Sequence, residues 1–175
     1  MRLIKYFILS WSISLTIFSG ATAQDVTGRI VAAIEGNEQT WFVTSLDGTS
    51  QSDWSGDPNF ANVSIWGHPV ENTTSAIKGS LLIGFQLVKS AGDHSAWTVE
   101  VSYLEDGYGG MYRVVEDDDA SLTVESVSLD GDLLTVSGAF TAAMFYATNY
   151  GRDVDPSNSQ SVEGAFTVTL SKLEM

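Results

Sequence analysis

The stretch Trp97-Thr98-Val99-Glu100-Val101-Ser102-Tyr103 alternates apolar or aromatic residues with polar ones. Successive side chains of a β-strand point to opposite faces, so a period of two is typical of a strand with one buried face. The alternation predicts that Trp97 lies in the core, on the same face as Val99 and Val101.

Two further segments repeat the period of two, one on each side of this stretch: Leu81–Leu87, where Gln86 is the only polar residue between the apolar ones, and Val162–Leu170. Turn sequences such as Glu35-Gly36-Asn37 and Asp130-Gly131 separate them. Past Gly138, residues 139–147 could continue a strand as a bend or form a helical turn. We predict an all-β, single-domain antiparallel β-sandwich of about nine strands, with an up-and-down β-barrel as the alternative. The nine strands are expected near residues 26–34, 39–46, 60–66, 77–88, 96–104, 110–116, 121–129, 133–141 and 161–172.

The first 23 residues have the three parts of a secretory signal peptide. Arg2 and Lys5 precede the largely apolar stretch 6–19, and Ala21-Thr22-Ala23 supplies small residues for cleavage. We therefore expect a mature domain of residues 24–175 in the periplasm or outside the cell. The apolar stretch is short for a bilayer span, and no later stretch approaches about 18 apolar residues, so we expect no stable membrane insertion after cleavage.

Composition excludes several classes of protein. The 175 residues include no Cys, which rules out disulfides, thiol catalysis and thiolate metal sites. Eight Lys+Arg against 22 Asp+Glu give a net charge of −14, and losing Arg2 and Lys5 would change it to −16. Binding to nucleic acid needs clustered cations, so we expect no nucleic-acid partner.

Some common motifs for catalysis are missing from the sequence. There is no G-x-S-x-G nucleophile elbow, and neighbours within Asp93-His94-Ser95 would point to opposite faces of an extended chain. His68 has no partner at zinc-ligand spacing and is expected to be a partly buried polar residue. A carboxylate pair acting on glycans is an alternative, because 22 acids offer many pairs and the sequence selects none.

Aromatic side chains in polar segments are the candidate ligand-binding residues. Three segments, 47–59, 103–119 and 148–160, are expected to be irregular, and long loops often carry function. Trp54, Tyr108 and Tyr150 lie in these segments among Gly, Ser, Asn and Asp. A ring exposed on a loop is costly unless it packs back or meets a ligand, so we select these three.

Calcium is the one metal that the sequence suggests. Asp153, Asp155 and Ser157 place oxygen ligands at alternate positions of the segment 153–159. The pattern departs from an EF-hand, because position six is Asn158 rather than Gly and position twelve is Gly164 rather than Glu. A solvated connection is the alternative, and no residue is assigned as a metal ligand or cofactor contact.

The sequence thus favours an exported, non-catalytic binding or interaction module, whose partner could be a glycan or a protein. The alternatives are an acid/base hydrolase acting on a glycan and a structural protein of the cell envelope. A deep cleft with two facing carboxylates would favour the hydrolase, and exposed rings on an open surface would favour binding.

Overall fold

The computed structural model describes residues 24–173, and the predicted signal peptide lies outside the described residues. The prediction of an all-β fold is confirmed: the described chain contains eleven strands and one 3-10 turn at Asp117–Asp119. The strands are β1 (Gln24–Ile34), β2 (Asn37–Leu46), β3 (Thr49–Ser50), β4 (Asp53–Asp57), β5 (Phe60–Gly67), β6 (Ser80–Ser90), β7 (Asp93–Tyr108), β8 (Gly110–Arg113), β9 (Ala120–Asp130), β10 (Leu133–Thr148) and β11 (Asp153–Lys172).

All eleven strands belong to one hydrogen-bonded sheet, in the order β3-β2-β1-β11-β4-β5-β6-β7-β8-β10-β9. In addition β10 pairs with β11, so the strands from β11 to β10 close into a ring. The pairing therefore gives one closed sheet instead of two hydrogen-bonded sheets that face each other. Its order also departs from an up-and-down one, because β11 lies between β1 and β4.

Almost every strand pair is antiparallel, as consecutive hairpins require. The exception is the short parallel pairing of β4 with β11, where Asp53 and Trp54 lie opposite Ser171 and Lys172. The longest pairing joins β10 to β11, from Leu133 opposite Ser171 to Thr148 opposite Asp153.

The core lies on the inner face of the closed sheet. Along β5, Ala61, Val63 and Ile65 are buried while the residues between them are exposed. Their partners on β6 and residues of β10 and β11 complete the same cluster. The largest fully buried side chains are Trp41, Ile30, Ile65, Leu81, Ile83, Leu104, Met144 and Leu170.

The segments expected to be irregular contain more strand than the sequence indicated. Residues 47–59 include β3 and β4, which account for the two additional strands. Most of residues 148–160 belongs to β11, and residues 139–147 continue β10 instead of forming a helical turn. The β-propensity of the individual residues does not predict these strands, because their polar residues gain backbone hydrogen-bond partners from distant strands.

The prediction that Trp97 lies in the core is wrong, because β7 contains a β-bulge next to it. Gly84 pairs with Glu100 but Gln86 pairs with Trp97, so β7 holds one residue more than β6 at this point. Thr98 adopts a left-handed φ of 51° there. A bulge shifts the alternation by one residue. Val99 therefore faces inwards, whereas Trp97 is 62% exposed.

Candidate functional site

Two of the three predicted ligand-binding residues, Tyr108 and Tyr150, lie side by side. Tyr108 ends β7 before the turn to β8, and Tyr150 lies in the turn between β10 and β11. Strands β8 and β10 pair with Gly110 opposite Thr148, so their two adjoining turns meet at the same end of the sheet. Tyrosines that are 42 positions apart in sequence are thereby brought into contact.

The two tyrosine rings are stacked and open to solvent. Their centroids are 6.0 Å apart and their planes meet at 26°. The Tyr150 N–H donates to the Tyr108 carbonyl oxygen at 3.3 Å, which links the backbones of the two turns. Tyr108 is 38% exposed and Tyr150 is 72% exposed. The rings stabilise each other and still leave aromatic surface for a ligand.

The turn that carries Tyr150 has an unusual backbone. Asn149, Tyr150 and Gly151 have φ values of 51°, 58° and 78°, all left-handed. A positive φ is ordinary for Gly and tolerated by Asn, but it is a strained conformation for a bulky residue such as Tyr. The Arg113 guanidinium Nη1 donates to the Gly151 carbonyl at 3.2 Å and helps hold this turn. Strain of this kind is often stored at functional sites.

Local sequence fixes the position of Tyr108 as well. A Cβ atom on Gly110 would lie 2.5 Å from the Tyr146 hydroxyl oxygen, so a larger residue there would require the Tyr146 ring to move. Gly107 has a φ of 72° and lies against Ile77, a residue that is 38% exposed. Ile77, Tyr108 and Tyr150 are called the tyrosine platform from here on.

An exposed ion pair flanks the tyrosine platform. The Lys78 ammonium lies 2.6 Å from an Asp106 carboxylate oxygen. The hydrogen bond and the charge of Asp106 raise the pKa of Lys78 above its ordinary value. The platform therefore combines aromatic and apolar side chains with charged groups on neighbouring residues of the chain, which suits a ligand with both kinds of surface.

The third predicted ligand-binding residue, Trp54, does not lie with the tyrosines, and its expected loop position is wrong. It belongs to β4, is 2% exposed, and donates its indole N–H to the Asp132 carbonyl at 3.0 Å. The Lys172 ammonium lies 5.0 Å from its ring centroid, at cation–π distance. Pairing with β5 and β11 makes this polar segment a strand and turns the indole inwards.

Trp54 instead lines a cleft at the other end of the sheet. His94, near the start of β7, also lines this cleft, whereas Tyr108 ends the same strand. The cleft has a volume of about 160 Å³. Its lining is mainly apolar and comprises Trp54, Asp57, Pro58, Ala61, Leu87, Lys89, His94, Val127, Leu129 and Leu134.

Sequence reasoning missed this cleft because its lining comes from β4, β5, β6, β7, β9 and β10 and the turns between them. In the sequence, Asp93-His94-Ser95 resembles only the residue types of a catalytic triad, and no local pattern selects Lys89. The one usable signal is alternation in β6, which places Leu87 and Lys89 on the same face.

The arrangement of carboxylates offers little for acid/base chemistry at the cleft. Asp57 is the one acid among the lining residues, and its Oδ1 accepts the backbone N–H groups of Asn59 and Phe60 at 2.8 and 3.3 Å. Burial raises the pKa of Asp53, which lies on β4 but does not line the cleft.

The segment suggested for calcium is part of β11. Asp155 Oδ1 accepts both the backbone N–H and the hydroxyl of Ser157, at 2.9 and 2.6 Å, and these bonds lower the pKa of Asp155. Asn158 Oδ1 accepts the Tyr112 hydroxyl at 3.1 Å. Within residues 24–173, no three His, Asp or Glu side chains are grouped so that they could hold a metal ion.

Among the described residues, no helix is long and apolar enough to cross a membrane. The sequence matches no protein-family model, and neither the curated proteins nor the solved structures include a match to this chain.

Proposed function

We propose that this protein is an exported, non-catalytic binding module whose tyrosine platform stacks against the sugar rings of a glycan. The observation that carries the proposal is the pair of exposed, stacked rings of Tyr108, at the end of β7, and Tyr150, in the turn between β10 and β11. An apolar ring face bordered by polar groups is complementary to a sugar, which has apolar C–H faces and hydroxyl edges.

The strained backbone of Tyr150 supports the same proposal. A left-handed φ at a bulky residue costs about 1–3 kcal/mol, and folding alone gains little from a side chain that is 72% exposed. The cost of the strain is explained if this backbone conformation holds the Tyr150 ring in the position that a ligand requires. The export signal predicted at residues 1–23 agrees with a ligand outside the cytoplasm, where glycans of the envelope and medium are found.

The test is a glycan-array screen followed by affinity measurements on ring variants. Tyr150→Gly removes the ring and relieves the backbone strain, so we expect weaker glycan binding by a protein that is no less stable. Aromatic contacts are worth about 0.5–1.5 kcal/mol, so each lost ring should weaken binding about 2- to 12-fold. Tyr150→Phe keeps the ring and should retain most of the affinity.

Trp97→Ala is the matched control, because it removes an exposed aromatic ring from a distant part of the surface. Equal losses for Tyr150→Gly and Trp97→Ala would contradict a specific site at the tyrosine platform. Release of soluble sugar from a bound glycan would favour the hydrolase alternative, and a protein that binds no glycan would favour a structural role in the envelope.

A further inference from the structure

The cleft lined by Trp54 has the size of a site for a small molecule. Trp54, Leu87 and Leu134 are nearly fully buried and form its inner part. A dry cavity of about 150 Å³ with an apolar lining can hold a benzene molecule. A cleft of about 160 Å³ can therefore accept an apolar group of about that size.

The polar residues of the cleft are mainly basic, in a chain with a net charge of −14. Lys89 on β6 lies directly opposite His94 on β7 in the strand register. Two basic side chains placed opposite each other on paired strands gain little from their proximity, and they repel when both are charged. A carboxylate bound between them would convert this contact into two favourable ones.

The acids nearby do not fulfil that role. The two ion pairs found among residues 24–173, Arg29–Glu71 and Lys78–Asp106, do not involve Lys89. Asp57 also lines the cleft, but its Oδ1 is hydrogen-bonded to the backbone of its own turn. The Lys89 N–H donates to the Asn59 carbonyl at 2.9 Å, which fixes the backbone of Lys89 against that turn.

We propose that this cleft binds a small carboxylate whose apolar body is about the size of a benzene ring. The apolar body lies against Trp54, Leu87 and Leu134, and the carboxylate lies between the Lys89 ammonium and the His94 imidazole. This site is independent of the glycan binding proposed for the tyrosine platform, since the two lie at opposite ends of β7.

The test uses titration calorimetry with three probes that share one ring: phenylacetate, toluene and phenethylamine. Phenylacetate has few atoms, so a dissociation constant of about 0.1–1 mM is the expected range. Phenethylamine, with the opposite charge, should bind at least about tenfold more weakly, and toluene should lie between the two. A dissociation constant for phenylacetate above about 10 mM, or equal affinities for the acid and the amine, would overturn the proposal.

Two lysine variants locate the site. Lys89→Met keeps most of the length of the side chain and removes its charge, so it should weaken phenylacetate binding about tenfold and leave toluene binding unchanged. Lys78→Met removes a charge from the other end of the sheet and should change neither. Unchanged phenylacetate affinity in Lys89→Met, or equal losses in the two variants, would also overturn the proposal. Because Lys89 is an exposed residue near a strand end, its substitution should leave the fold intact.

Discussion

Single residues of this protein take their roles from what surrounds them in space. Trp54 lies among Ser, Gly and Asp yet is buried, and Trp97 lies in an alternating strand yet is exposed. Partner strands bury the first, and a one-residue bulge exposes the second. Hydrophobic burial contributes to stability only where water is removed, so these two tryptophans should contribute very differently.

Substitution of the two tryptophans gives a direct comparison. Trp54→Ala should lower the free energy of unfolding by about 3–5 kcal/mol, because it leaves a cavity and removes the hydrogen bond to Asp132. Trp97→Ala should change it by no more than about 0.5 kcal/mol, since the ring is largely solvated. Urea melts measure both values. A larger loss for Trp97→Ala would support the burial that alternation alone predicted.

At the scale of elements, the segment between β5 and β6 is held by buried polar side chains. The Trp41 indole N–H donates to the Gly79 carbonyl at 2.8 Å, and the Thr44 hydroxyl donates to the Thr73 carbonyl at 2.6 Å. The Ala76 carbonyl accepts the Ser80 hydroxyl at 2.7 Å and lies 3.1 Å from His68 Nδ1. These bonds fasten residues 69–79 to the sheet without regular structure.

His68 should make the stability of this attachment depend on pH. It is 1% exposed, and burial lowers its pKa below the ordinary value of 6.5. The unfolded chain therefore takes up a proton more readily than the folded chain as the pH falls. The contribution of neutral, buried His68 to the free energy of unfolding is therefore complete above about pH 6.5. It is lost as the pH falls through the lower pKa that His68 has in the folded state.

Thermal melts between about pH 8 and pH 5 should show this loss in the wild type. His68→Gln keeps a hydrogen-bond donor near Ala76 and cannot titrate, so its melting temperature should fall less over the same range. The difference between the two profiles isolates His68 from the many carboxylates. Parallel profiles would mean that His68 does not contribute to the pH dependence.

The whole molecule carries far more negative than positive charge. The described residues contain two ion pairs, Arg29–Glu71 and Lys78–Asp106, and both are exposed. Exposed pairs are each worth about 0–1 kcal/mol, so screening them costs little. Screening of the mutual repulsion among 22 Asp and Glu should outweigh that cost.

We therefore expect added salt to stabilise the fold. Raising NaCl from about 20 mM to about 500 mM should increase the melting temperature by about 2–4 °C, equivalent to about 1 kcal/mol. The same rise with choline chloride at equal ionic strength would identify screening as the cause instead of specific sodium binding. A lower melting temperature in salt would show that attractive pairs dominate.

The sequence alone was sufficient for the all-β class and for most hairpin positions, and it pointed to Tyr108 and Tyr150 as candidates, whose rings the structure leaves exposed. Each of these depends on local information: a period of two, a Gly-containing turn, or a ring in a polar segment. Alternation predicts faces correctly as long as the register is unbroken, which is why Leu81–Leu87 of β6 agrees with the expectation. Local patterns could also place Tyr108 beside a turn and Tyr150 within one, although they could not show that those turns meet.

Tertiary structure alone decided how the sheet closes, which of Trp54 and Trp97 is buried, and where the cleft lies. The closure depends on β10 pairing with β11, and the cleft collects residues from Trp54 to Leu134. The bulge at Thr98 likewise exists only in relation to the partner strand β6. Almost any residue can form the backbone hydrogen bonds between strands, so these bonds do not specify which strands pair. Pairing between distant segments is therefore decided by the packing of the whole core.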